Sequence, residues 1–193
     1  MKTQSVMKII TTCLLLLTLA GATITHGQNL NSSWKKSLDE SLKSFIDCES
    51  NGQSTTPCTN FVGETVNTVY QVNDFYSQKL GRYMLVNETA QYLESNPKWK
   101  QLGKAYEQNA LKEAQQYANS GKAVVAIYLN DQGVGHMALI LPGELQPSGS
   151  WGLSVPNSAS FLTSDAEKSY VGKGLSYAFP RNILKDVVIY SRN

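Results

Sequence analysis

Residues able to carry nucleophilic or acid–base chemistry at neutral pH are scarce here: two histidines and three cysteines among 193 residues. One of each, His26 and Cys13, lies within the first 27 residues. That leaves His136, Cys48 and Cys58 for everything that follows. One histidine with two cysteines is a poor zinc set, and no cluster of His, Cys and acid has metal-ligand spacing. No glycine-rich phosphate loop occurs, and no cofactor is expected. Charge of one sign is also missing. Lys plus Arg number 17 against 15 Asp plus Glu. Removing residues 1–27 takes away Lys2 and Lys8 and no acid, so 15 stand against 15. A neutral chain of this kind argues against nucleic acid as a partner. There is no internal repeat and no low-complexity linker.

The only long apolar run lies at the N-terminus, from Ile9 to Ala20, and it is too short to span a bilayer comfortably. Basic residues precede it, and the small residues Ala20-Gly21-Ala22 follow, with Gly27 as a second cleavage point. Residues 1–27 therefore read as a signal peptide. The remaining 28–193 form a single domain exported to the periplasm or the cell exterior. Its roughly 165 residues are enough to build a core without disulfides. In an oxidising compartment, Cys48 and Cys58, ten residues apart, suit a small disulfide loop, while a free reactive Cys58 is the other reading.

Apolar residues at helical spacing predict a helix from Ser33 to Ile46 and a second beginning near Cys58. Thr55 or Thr56 caps the second, with Pro57 in its first turn. An irregular stretch runs from Asn73 to about Asn87, then helices over 88–95 and Lys98–Asn119. Strands follow at Ala123–Leu129, His136–Leu141, Trp151–Val155, Leu175–Phe179 and Asp186–Ser191. Helices first and an antiparallel sheet after make the fold class α+β.

A cysteine at a helix start is stabilised as thiolate by the helix dipole and by a neighbouring imidazolium. A histidine opening an apolar strand after a glycine turn can stand at the sheet rim facing such a helix. Cys58 and His136 have this order and context. The segment Cys58-Thr59-Asn60-Phe61-Val62, then Ala123-Val124-Val125-Ala126-Ile127-Tyr128, then Gly135-His136-Met137-Ala138-Leu139-Ile140, resembles the nucleophile helix and following strand pair of the CHAP and NlpC-type cell-wall peptidases. The resemblance covers residues 55–191. It implies a papain-like core, N-terminal helices on a C-terminal antiparallel sheet, and hydrolysis of peptidoglycan amide bonds without a metal. Cys58 is then the nucleophile, His136 the base, and Asn157, after the next strand, the residue that orients the imidazole. Asp165 and Glu144 are weaker candidates for that third role. Gln53, five residues before Cys58, is the candidate oxyanion donor. Trp151, Tyr83, Tyr92 and Tyr128 are candidate groove aromatics.

The expected partners are peptidoglycan or its peptide fragments, with a cognate inhibitor protein as a further one, and the chain is expected to be a monomer. Two other functions fit the same residues. One is a non-enzymatic secreted binding module on this fold, with Cys48 and Cys58 oxidised. The other is a transglutaminase-like acyl transferase using Cys58, His136 and Asp165.

Overall fold

A computed structural model describes residues 29–51 and 58–193. The sequence-predicted caps Thr55, Thr56 and Pro57, and Gln53, lie outside them. Among the described residues, four α-helices and a six-stranded antiparallel sheet give a mixed α+β fold. The helices are α1 (Trp34–Asn51), α2 (Asn60–Tyr70), α3 (Val86–Ser95) and α4 (Gln108–Asn119). A small hairpin, β1 (Tyr76–Ser77) and β2 (Arg82–Tyr83), occupies the stretch expected to be irregular. The main sheet has the order β3 (Trp99–Lys104), β10 (Val188–Arg192), β4 (Val124–Leu129), β5 (Gly135–Ile140), β8 (Asn157–Ser160), β9 (Tyr170–Gly174). A second hairpin, β6 (Gln146–Ser148) with β7 (Leu153–Val155), stands apart from it.

The sheet is apolar on both faces because helices cover both. On one face, Val125, Ile127, Met137, Leu139 and Phe161 meet α1, α2 and α3 through Leu38, Phe45, Val66, Val69 and Leu93. On the other, Val124, Ala126, Ala138, Ile140 and Ile189 meet α4. Here Ala110, Ala114 and Ala118 face the strand alanines, and small side chains on both partners let the helix lie close. The central strands β4 and β5 therefore read as continuous apolar runs, not as alternation.

Several elements differ from expectation: α2 begins at Asn60, after Cys58, and β6 and β8 are additional strands. Residues 99–104 form an edge strand, not the start of a long helix. Gly103 decides this: it adopts φ 149°, and a Cβ there would strike the Glu107 carboxylate and Ala110. A glycine inside an apparently helical period marked that break. Trp151 precedes a strand that pairs only with β6, so it is not part of the main sheet. Leu175–Tyr177 is a 3-10 turn, and the strand of that region is β9, before it.

Polar groups are satisfied at the joints. The Tyr70 hydroxyl donates to the Ile140 carbonyl at 2.7 Å, tying the last turn of α2 to the end of β5. Asp74 accepts from Arg192 Nε at 2.7 Å and from Trp99 Nε1 at 3.1 Å, which joins the chain's C-terminal strand to the loop after α2.

Candidate functional site

Because Tyr70 is tied to Ile140, α2 lies along β5 with its first turn near Gly135. Cys58 and His136 thus belong to the same rim of the sheet, as their places in the sequence suggest. Cys58 sits in a turn two residues before α2, with its carbonyl accepting from Phe61 N–H at 3.3 Å. The helix cap is Thr59, whose side chain makes no capping bond. A cavity of about 250 Å³ separates the two segments, with Thr59 and Val62 on one wall and Gly135, His136 and Met137 on another.

The chemistry expected of these residues is nevertheless not assembled in this form. Cys58 is joined to Cys48, at the end of α1, in a disulfide with Cα atoms 6.0 Å apart. A disulfide sulfur is not a thiolate, so Cys58 is not a nucleophile here. The pairing is the one that cysteine spacing alone favoured.

His136 points away from α2. Side chains alternate across a strand. Met137 and Leu139 pack on the α1–α3 face, and Ala138 and Ile140 on the α4 face. His136 shares the parity of Ala138. Its ring lies 5.4 Å from that of Phe179, a residue of the α4-side core. Its Nε2 is 2.7 Å from Ser160 Oγ. Burial lowers its pKa to about 4, so the imidazole is neutral at pH 7.

Ser160, not Asn157, is the residue that holds the imidazole. The register pairs Ala138 with Ser160 across β5 and β8, one diagonal step from His136. Asn157 begins β8 at the opposite end, where its carbonyl accepts from Leu141 N–H. Five residues of strand, about 17 Å, separate that point from His136. The Asn157 amide is committed elsewhere: Nδ2 donates to the Pro142 carbonyl at 2.9 Å, and Oδ1 accepts from Gln146 at 3.2 Å. Its backbone N–H donates to Gln115 Oε1, and Gln115 also donates to the Leu141 carbonyl. Asn157 is thus part of a buried amide network fastening α4 to the β5–β6 loop. No strand is expected from the sequence between Val155 and Leu175, so Ser160 has no place among the expected site residues, although β8 follows Pro156 directly. The alternation in Asn157-Ser158-Ala159-Ser160 was the available signal.

Asp165 pairs with Lys168 in an exposed loop, and Glu144 is exposed beyond Gly143. Trp151 is buried, with its indole N–H on the Phe179 carbonyl, and Tyr92 packs edge-on to Phe75. Tyr83 packs against Tyr76 and over Gly63. Of the four aromatics, Tyr128 lines an open groove, a polar one with Glu94, Lys104, Asp131 and Asp186. Among the described residues no group of three or more His, Cys, Asp and Glu converges as a metal site. No helix of the described residues is long and apolar enough to cross a membrane.

No protein-family model matches this chain, and no curated protein matches it in sequence.

Proposed function

We propose that the chain is an exported papain-like thiol hydrolase of peptidoglycan amide bonds, and that the oxidised form described here is its resting state. The observation that carries this reading is the shared rim: the Cys58 end of α2 and the His136 end of β5 border one cavity, and Ser160 holds one imidazole nitrogen. The first turn of α2 also carries backbone N–H groups with no carbonyl in their own helix, the donors an oxyanion needs. Export would deliver the protein to the periplasm or cell exterior, where its substrate lies.

Two changes separate this form from an active one. A dithiol must reduce the Cys48–Cys58 bond, giving two thiols and becoming a disulfide itself. The imidazole must then come to the α2 side of the rim. This requires the first residues of β5, paired as Leu129 with Gly135 and Tyr128 with His136, to leave their present register with β4. In the active form the Cys58 thiolate adds to the amide carbonyl, His136 protonates the departing amine, and water cleaves the acyl-enzyme.

A second reading is favoured by the disulfide itself: a secreted binding module for peptidoglycan peptides, with no thiol chemistry. One experiment separates the two. Mature protein and its Cys58→Ala form are incubated with peptidoglycan sacculi, with and without dithiothreitol, and released fragments are read by mass spectrometry. Fragments that require both reductant and Cys58 support the hydrolase. Sacculi left intact under reducing conditions transfer the reading to the binding module.

A further inference from the structure

The cavity beside α2 has a wall without charge. Val62, Met84, Leu85, Val86, Met137 and Phe161 supply its apolar surface. Thr59, Asn87, Thr89, Thr163 and the neutral His136 also line it, and among the described residues no Asp, Glu, Lys or Arg contributes. At about 250 Å³ it lies just under the usual range for small-molecule sites, which suits a fragment of a larger ligand. Two methionines in the wall let it adapt to the occupant's shape.

Thr89 is the anomaly in this wall. It is 1% exposed, and its hydroxyl oxygen is the one buried side-chain N or O atom, among the described residues, with no hydrogen-bond partner. Thr65 and Thr68, on α2, donate to helix carbonyls instead. A buried hydroxyl left unpaired costs stability unless something supplies the missing partner. Thr89 lines the cavity, so the missing partner can come from an occupant. The wall is also open at an apolar side chain: Leu85 is 40% exposed.

We propose that this cavity binds an uncharged, mainly aliphatic group carrying one hydrogen-bond acceptor, such as a short acyl or side-chain group next to an amide carbonyl, with Thr89 donating to that acceptor. The absence of charged residues in the wall sets the selectivity, since a charged group would lose its hydration with nothing to replace it. The site is formed in the oxidised protein, so binding does not depend on the hydrolase reading.

The test uses oxidised mature protein, ¹⁵N-labelled, titrated with N-acetylvalinamide, with its charged counterparts N-acetylglutamate and N-acetyllysine, and with toluene as an apolar probe lacking an acceptor. Saturable shifts at Thr89, Met137 and Phe161 with the neutral amide, and at least tenfold weaker binding of both charged probes, are expected. Thr89→Val keeps the shape and removes the donor. It should weaken N-acetylvalinamide about fivefold, the value of one neutral hydrogen bond, and leave toluene unchanged. No saturable shift at the cavity, equal binding of a charged probe, or equal binding of the amide by Thr89→Val would each overturn the proposal. Failure here leaves the Cys58-dependent digestion standing, and failure of that digestion leaves the cavity standing.

Discussion

Lowering the pH should unfold this protein through His136, and the size of the effect follows from where the ring is held. In the folded chain burial against Phe179 and Ser160 drops the imidazole pKa from 6.5 to about 4. In the unfolded chain it titrates near 6.5. Between these values the unfolded state binds a proton that the folded state refuses, so stability falls as pH is lowered. With those two values the loss is about 2 kcal/mol at pH 5 and about 3 kcal/mol at pH 4, relative to pH 8. The carboxylate of Glu88, held low by the Arg82 guanidinium, adds its own loss in the same direction. The comparison must therefore be a difference. His136→Gln keeps a polar partner for Ser160 and has no proton to gain. Urea unfolding of both proteins, oxidised, at pH 8, 6, 5 and 4 should show wild type losing about 2 kcal/mol more than His136→Gln between pH 8 and pH 5. Parallel pH profiles would refute the placement of the ring on the α4 face. An NMR titration of the His136 ring reads the same quantity directly, and a midpoint near 6.5 would refute it equally.

Three further outcomes follow from the described contacts. Cys48→Ser opens a loop whose ends are ten residues apart, and loop entropy alone puts the loss near 3 kcal/mol, read as a lower urea midpoint that dithiothreitol no longer shifts. Thr89→Val, with no ligand present, should stabilise the protein by about 1 kcal/mol, since it replaces an unpartnered hydroxyl with a methyl of the same shape; calorimetry checks the sign. Asn157→Ala leaves the Pro142 carbonyl and the Gln146 amide without their partner, which should cost about 2 kcal/mol in urea unfolding. Its effect on any Cys58-dependent digestion should vanish at temperatures where the variant remains folded, whereas an orienting residue would lower the rate at every temperature.

Much of the architecture was legible in one dimension. The apolar periods of α1 and α2, and the runs of β4 and β5, were strong because each of these elements buries a whole face or both faces. The exchange of a strand for a helix at residues 99–104 shows the limit of that reading: Trp99 and Leu102 satisfy a helical period, and Gly103 alone breaks it. The site was legible in its membership at the rim and not in its geometry. Element order carried Cys58 and His136 to the same end of the sheet. The face that His136 occupies depends on strand register, and a single residue of register reverses it.

Sequence alone determined that residues 28–193 hold one histidine and two cysteines, that the chain carries no charge bias toward a nucleic acid, and that helices would precede most of the sheet. Tertiary structure decided that Cys58 meets Cys48, that Ser160 and not Asn157 holds His136, and that an unpartnered Thr89 lies in the wall of the cavity between them. The disulfide joins cysteines ten residues apart, and spacing leaves it open against a free thiol until the end of α1 meets the start of α2. The other two depend on contacts between strands or helices far apart in the chain, where the outcome is set by register and packing.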